Sequence, residues 1–282
     1  MRMNALVAFC AACLSFSMLA QAGQPRIVSA DGSITETVYA LGAEGNLVGV
    51  DTTSNYPPEV RSQPRVGYLR ALPFEGVLAL RPDVLLTTVE AAPDRTLERL
   101  KQAGVKVIQL PVARSPQDTV ARIREVGRVL GKASEAEAMA ADIQKRIERI
   151  GINTEGSSAQ VLFLMAAGNH GVMIAGRDTA ASALLDALGA SNAMGDMSGY
   201  KPANREALLA SRPDAIVVAE SRSGQFDIAQ WPQLAALDAW KQGRYYVGDS
   251  MLLLGFGPRL PQAMEEVAGV LAEARPVASA GD

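Results

Sequence analysis

The chain has 282 residues, a formal net charge of −3 and 5% aromatic residues. This length is enough for two lobes of ordinary domain size. The charges are near balance, and no basic stripe suggests that the protein binds nucleic acid. Both cysteines, Cys10 and Cys13, lie close to the N-terminus. The rest of the chain therefore has no thiol for a disulfide, a thiolate metal site or a cysteine nucleophile.

The first 22 residues have the pattern of an export signal. Arg2 precedes an apolar run from residue 5 to residue 19, and Ala20-Gln21-Ala22 matches the small-x-small pattern of a cleavage site. The run is short for a membrane span, and Cys13 lacks the leucine-led box of a lipoprotein. We therefore predict a signal peptide over residues 1–22 and a periplasmic mature chain that begins at Gly23.

Short strands and helices alternate over the next part of the chain. Strands are predicted at 27–29, 47–50, 84–87 and 105–110. Helices are predicted from the capping turn at 31–33 to residue 42, in the segment before Pro82, and from 93 to 103. This alternation predicts a parallel or mostly parallel sheet. We place the first lobe at 23–131.

Two helical stretches, 115–130 and 134–150, then interrupt the alternation. The second has an apolar stripe of Met139, Ile143, Ile147 and Ile150, with charged residues elsewhere. These features fit a rigid connector between two lobes, and they also fit a plain surface helix, so the sequence leaves both open. We place the connector at 132–156.

The second half of the chain repeats the pattern of the first. Asp31 followed by Leu41-Gly42-Ala43 matches Asp178 followed by Leu188-Gly189-Ala190, and Gly67-Tyr68 matches Gly199-Tyr200. Glu75 stands six residues before Arg81-Pro82-Asp83, and Glu206 stands six residues before Arg212-Pro213-Asp214. The matches occur in the same order in both halves. This order indicates an internal duplication. The predicted fold is therefore α/β, with two duplicated Rossmann-like lobes; the second lobe occupies 157–275 and a tail occupies 276–282.

Two such lobes enclose a cleft, because ligands of these sheets bind beyond the carboxyl ends of the strands. The residues that should face the cleft or its rim are Tyr68, Arg70, Glu90, the 168–170 loop with His170, Tyr200 and Arg222. They form no familiar catalytic set, since the chain has one histidine and lacks a nucleophile elbow, a phosphate loop and a His/Glu metal-ligand pair. We therefore expect a binding protein and not an enzyme.

The paired Glu-x5-Arg-Pro-Asp segments, the connector helix and the signal resemble the metal-chelate substrate-binding proteins of bacterial ABC importers. Residues 67–70, Gly-Tyr-Leu-Arg, and residues 254–260 narrow the resemblance to the periplasmic heme (hemin) binders. The resemblance implies a class III periplasmic binding protein, in which one long helix joins two lobes that move little. It also implies heme as the transported ligand, and an inner-membrane permease with its ATPase as partners. We expect a monomer.

Within this resemblance, Tyr68 is the expected ligand of the heme iron. Phenolate is a hard oxygen ligand that tyrosine supplies to heme iron, and a neighbouring guanidinium, of Arg70 or of Arg222, would favour the phenolate form. We expect Leu69 and Leu72 to cover the apolar face of the macrocycle. The residues alone leave open that Tyr68 is a half-buried loop aromatic.

Rival ligands are a ferric siderophore or a corrinoid, which binders of the same fold accept. The two tryptophans, Trp231 and Trp240, lie together in one late segment and are expected to pack in the protein. A bare-metal site would need several His, Asp or Glu ligands, and one histidine argues against it.

Two further assignments follow from the resemblance. Glu75 and Glu206 would dock on arginines of the permease, although each also begins a short helix, where a carboxylate complements the helix dipole. His170 follows the predicted strand 161–165, so we expect it in the cleft, either as the ligand of a second heme or as a solvated loop residue. Tyr200 is a second candidate for this part of the cleft.

Overall fold

The computed structural model describes residues 24–154, 159–166 and 171–274. The predicted signal at 1–22, the tail at 276–282 and His170 lie outside these residues. Among the described residues, no helix is both long enough and apolar enough to cross a membrane. The lobe boundaries predicted above remain predictions.

The first lobe contains strands β1 (Ile27–Ala30), β2 (Leu47–Val50), β3 (Val84–Thr88) and β4 (Lys106–Leu110), with helices α1 (Gly32–Ala40), α2 (Phe74–Ala79), α3 (Asp94–Gln102) and α4 (Pro116–Val129). The strands form one parallel sheet in the order β2-β1-β3-β4. Helices therefore connect the strands on both faces, which explains why β1 and β3 are buried throughout. The predicted parallel sheet is confirmed.

Helix α5 (Ala133–Thr154) joins this lobe to the second. The predicted helix ended at residue 150, where the apolar stripe ends, and α5 continues for four more residues. Its apolar stripe faces a hydrophobic core that both lobes share. That core includes Ile34 and Val38 of α1, Ile143 and Ile147 of α5, and Phe163 and Val267 of the second lobe. The three isoleucines of the stripe are buried and Met139 is partly buried, so α5 is the connector and not a plain surface helix.

The second lobe contains strands β5 (Gln160–Ala166), β6 (Val172–Ala175), β7 (Ser191–Asn192), β8 (Tyr200–Pro202), β9 (Ala215–Glu220) and β10 (Tyr245–Asp249). Its helices are α6 (Ala180–Ala187), α7 (Arg205–Ser211), α8 (Pro232–Ala235), α9 (Asp238–Lys241), α10 (Ser250–Leu254) and α11 (Leu260–Ala274). Strands β10, β9, β5, β6 and β8 lie side by side in that order, and β7 also pairs with β5.

The duplication appears in the strand pairing. In the first lobe β1 pairs with β2 and β3, and β3 pairs with β4. In the second lobe β5 pairs in parallel with β7 and β9, and β9 pairs with β10. Thus β7-β5-β9-β10 repeats β2-β1-β3-β4. The antiparallel strands β6 and β8 are an addition that makes the second sheet mixed and leaves β7 only two residues long.

The repeated Arg-Pro-Asp segments have a structural explanation. Arg81 and Arg212 follow α2 and α7 with positive φ angles of 47° and 37°, which end each helix. The Asp83 carboxylate accepts a hydrogen bond from the backbone N–H of Arg26, and the Asp214 carboxylate accepts one from that of Gln160, both at 2.8 Å. Each aspartate therefore fixes the register between the first strand of its lobe and the strand that follows the motif.

Polar contacts also tie the lobes together. The Arg259 guanidinium, just before α11, donates to the buried carboxylate of Glu36 on α1, with Nε at 2.9 Å from Oε2, and reaches Asp249 Oδ1 at 3.3 Å. Arg122 of α4 donates to the carbonyl oxygen of Phe256 at 2.8 Å. The α10–α11 segment is therefore bonded to two helices of the first lobe.

Candidate functional site

The carboxyl ends of the first lobe's strands carry a turn that holds Tyr68. Gly67 has a φ angle of 96°, which favours glycine, and its carbonyl accepts a hydrogen bond from the N–H of Thr52 at 2.8 Å. Residues Leu69–Ala71 form a 3-10 turn after Tyr68. Two backbone hydrogen bonds then attach this turn to the loop after β3, from Leu72 N–H to Ala92 O at 2.8 Å and from Ala92 N–H to Leu69 O at 2.9 Å.

Tyr68 is 42% exposed. The Arg70 guanidinium lies close enough to interact with the Tyr68 hydroxyl, and this interaction contributes to raising the pKa of Arg70, after the larger contribution of its hydrogen bond to Glu90. The structure therefore places Tyr68 and Arg70 together, with the phenol open to solvent.

Glu90 and Arg114 complete this group of charges. The Glu90 carboxylate is bonded to Arg70 through Oε2 and contacts Arg114 Nη2 through Oε1 at 3.3 Å. Glu90 follows β3, Arg114 follows β4, and Arg70 lies on the turn that is bonded to the β3 loop. These three residues, the Arg70–Glu90–Arg114 network, therefore lie at the carboxyl ends of the strands of the first lobe's sheet. Sequence analysis missed Arg114, although its position after a strand is a signal that could have identified it.

Tyr200 of β8 faces the same network from the second lobe. Its hydroxyl interacts with the backbone N–H of Ala181 and with Thr179, the N-cap of α6. Burial raises the pKa of the Tyr200 hydroxyl, and this outweighs the lowering by Arg114, by the two α6 contacts and by Arg70. Tyr200 is thus a neutral residue beside the N-terminal end of α6 and near both arginines, which differs from the open position of Tyr68.

Arg222 lies in a different part of the second lobe. It lines a cavity of about 370 Å³ beyond the carboxyl ends of β5 and β9, together with Ala166, Gly171, Phe226 and Trp231. The loop that carries Arg222 is fixed by the buried carboxylate of Glu220, which accepts hydrogen bonds from the N–H groups of Gly224 at 2.8 Å and Phe226 at 3.1 Å. No contact between Arg222 and Tyr68 is present among the described residues.

Trp231 and Trp240 pack as expected against the core of the second lobe. Trp240 also stacks on Tyr245, with ring centroids 3.8 Å apart.

The expectation that Leu69 and Leu72 cover the apolar face of the macrocycle requires a correction. Both side chains are buried, 6% and 2% exposed, in the core of the first lobe, so they hold the turn that carries Tyr68 and do not face the cleft.

Glu75 and Glu206 occupy equivalent positions. Each lies in the first turn of a short helix, α2 or α7, and both are exposed. Glu75 contacts Arg99 Nη2 at 3.4 Å, in a pair whose side chains are 79% and 46% exposed. An ion pair this exposed contributes little to stability, so it leaves the Glu75 carboxylate accessible to a partner.

His170 lies outside the described residues, so its role as a second iron ligand stays a prediction. Within the described residues, no group of three or more His, Cys, Asp or Glu side chains could hold a metal ion. The described part of the cleft thus offers one exposed phenol and several guanidiniums in place of a cluster of metal ligands.

Comparison with known proteins identifies the family. Residues 27–252 match the family described as periplasmic binding protein. A solved periplasmic heme-binding protein from Pseudomonas aeruginosa is 38% identical, with a TM-score of 0.78, and the alignment covers 90% of this chain and 95% of that one.

Two curated relatives extend the comparison. The uncharacterized ABC transporter substrate-binding lipoprotein YvrC of Bacillus subtilis is 30% identical over 86% of this chain and 78% of its own length. A vitamin B12-binding protein of Pectobacterium carotovorum is 30% identical over 70% of this chain and 71% of its own length. The chain therefore belongs to the periplasmic binding protein family, and it is the substrate-binding protein of an ABC importer and not an enzyme.

Proposed function

We propose that this protein captures ferric heme in the cleft between its lobes, with Tyr68 as the iron ligand, and delivers it to an inner-membrane permease and its ATPase. The observation that carries the proposal is the exposed Tyr68 phenol beside the Arg70 guanidinium. Ferric iron is a hard cation, and phenolate is the oxygen ligand that a tyrosine offers to heme. The similarity to the heme-binding protein of P. aeruginosa supports the same ligand class.

Arg70 has a supporting role. A tyrosine hydroxyl ordinarily has a pKa of about 10, and both the iron and a neighbouring guanidinium stabilise the phenolate. Arg222 lies on the wall of the cleft formed by the second lobe. In this proposal it contacts the periphery of the ligand. The pairing of Arg70 with Glu90 keeps the guanidinium beside Tyr68.

The test is a hemin titration followed by visible absorption. Wild-type protein should give a high-spin ferric spectrum with a tyrosinate-to-iron charge-transfer band. Tyr68→Phe removes only the oxygen and should abolish that band and lower the affinity for hemin. Tyr245→Phe is the matched control, because Tyr245 has a similar exposure of 38% and stacks on Trp240 away from Tyr68. An unchanged spectrum in Tyr68→Phe would refute the proposal.

A corrinoid is the second candidate, because the vitamin B12-binding relative is 30% identical over most of the chain. The two ligands differ at their edges: heme carries two carboxylates, whereas the corrin ring of vitamin B12 carries neutral amides. Parallel titrations with hemin and cyanocobalamin, monitored by the absorption of each ligand, separate the candidates. Saturable binding of cyanocobalamin alone would replace heme with a corrinoid.

Delivery would use Glu75 and Glu206 as docking residues. They lie at equivalent places on the two lobes and are exposed, so two permease arginines could pair with them at once. The double reversal Glu75→Lys/Glu206→Lys should leave hemin binding intact and abolish transport into vesicles that contain the permease and ATPase. Reversal of Glu135 and Glu148, exposed residues of α5, is the control. Normal transport by the first double variant would exclude docking through these glutamates.

A further inference from the structure

Two guanidiniums converge on one carboxylate at the edge of the first lobe. Arg70 and Arg114 bind opposite oxygens of Glu90. The side chains of Arg70 and Arg114 are 52% and 42% exposed, whereas that of Glu90 is 31% exposed. The arginines are therefore held in place by the carboxylate and still open to solvent. A pair of guanidinium forks arranged around a carboxylate is also the arrangement that would bind a carboxylate of a ligand.

Arg114 extends this arrangement towards the second lobe. It lines a cavity of about 370 Å³ with Thr179 and Ser182, which belong to the N-terminal end of α6. Both Arg114 and Arg70 act electrostatically on Tyr200, which lies beside the N-terminal end of the same helix. The two guanidiniums therefore reach the interface between the lobes from the side on which Tyr68 is exposed.

The acidic residues that line the cavity form no ion pair with the Arg114 guanidinium. Asp178 is paired with the neighbouring Arg177, with Arg177 Nε 3.7 Å from Asp178 Oδ2, and accepts a hydrogen bond from the Ser198 hydroxyl at 3.0 Å. Asp186 lies near the other end of α6, about 9 Å along the helix axis from Ala180 at 1.5 Å per residue. Asp118 accepts a hydrogen bond from the backbone N–H of Arg114, and Glu90 is the one carboxylate bonded to the Arg114 guanidinium among the described residues.

We propose that Arg114, together with Arg70, binds a free carboxylate of the tetrapyrrole, and that Glu90 holds the two guanidiniums in position until the ligand arrives. Arg114 is then a specificity-determining residue, because it favours a ring with carboxylates over one whose side chains are esters or amides. This inference rests on the proposed heme-binding function. It assigns a separate part of the ligand, since Tyr68 contacts the iron and Arg114 contacts the periphery.

The experiment compares hemin with hemin dimethyl ester, which has the same ring and iron but no free carboxylates. Wild-type protein should bind hemin at least tenfold more tightly than the ester. Arg114→Gln should weaken hemin binding about tenfold to a hundredfold, the range of a hydrogen bond to a charged group, and leave the ester affinity and the iron spectrum unchanged. Arg114→Lys, which keeps the charge, should recover part of the preference.

Arg124→Gln is the matched control, because Arg124 is an exposed arginine of α4 that pairs with Glu137 and not with the network. Thermal unfolding checks that each variant is folded. An equal loss of hemin and ester affinity in Arg114→Gln, or no loss of either, would overturn the inference, as would a wild type that binds both ligands equally. If hemin binds and requires Tyr68 while Arg114 has no effect, this inference fails and the proposed function stands. If hemin does not bind, both fail.

Discussion

Replacing Arg259 should destabilise the whole protein, because this residue ties the lobes through a buried ion pair. Its guanidinium and the Glu36 carboxylate are 15% and 4% exposed. The Tyr56 ring lies over the guanidinium, 4.0 Å from ring centroid to Cζ. The variant Arg259→Met keeps most of the side-chain length but leaves the Glu36 carboxylate buried without a cation. Breaking a buried pair in this way costs about 3–5 kcal/mol of unfolding free energy.

At about 2–4 °C per kcal/mol for a protein approaching this size, the melting temperature should fall by about 6–20 °C. Burial already raises the pKa of Glu36, and the contacts with Arg259 lower it. Removing Arg259 therefore raises this pKa further. Because a group with a raised pKa binds its proton more tightly in the folded state, the stability deficit should shrink as the pH falls.

The assay is urea unfolding followed by circular dichroism at pH 8 and pH 5, with the double variant Glu36→Met/Arg259→Met as the comparison. The double variant removes both buried charges of this pair and should recover much of the loss, since an apolar pair often replaces a buried ion pair without cost. Equal stabilities of the single variant and the wild type would refute the reasoning. So would a deficit that is the same at both pH values and remains in the double variant.

Two further predictions concern the loops at the carboxyl ends of the strands. Burial raises the pKa of Asp51 to about 6, against lowering by Thr53 and Ser54, so its protonation should add about 1 kcal/mol of stability between pH 7 and pH 5. Urea unfolding at the two pH values should show this gain, and Asp51→Asn should lack it. Glu220→Gln places an N–H group against a backbone donor and should loosen the loop that carries Arg222. Limited trypsin digestion should then cleave after Arg222 faster than in wild type, and an unchanged rate would contradict the assigned role.

The architecture was accessible from the sequence because the duplication repeats residues with fixed backbone roles. The Arg-Pro-Asp segments end a helix and fix a strand register in both lobes. Their repeated spacing in the sequence therefore indicates that the two lobes share one strand order. The antiparallel strands β6 and β8 were not predicted. Their pairing joins Met173 to Pro202, 29 residues apart, and no counterpart in the first lobe indicates it.

The site was predicted less completely than the fold, for reasons of local geometry. Tyr68 and Arg70 follow a glycine that sets the turn, and the structure brings their side chains together. The direction of Leu69 and Leu72 depends on how a 3-10 turn of three residues faces the core, which an apolar pattern this short cannot determine. Arg114 was missed because its partner, Glu90, lies 24 residues away on a different loop.

The shared core gives these side chains a fixed frame. Residues of both lobes pack in one continuous cluster around α5, and Arg259 and Arg122 bond the α10–α11 segment to the first lobe. A relative movement of the lobes would have to break this packing and expose the Glu36 carboxylate. Binding therefore depends on groups that are already in position, and a site held in this way loses less conformational entropy when a ligand arrives. The bonds from Glu90 to Arg70 and Arg114 serve the same end, because they order two long side chains before any ligand is present.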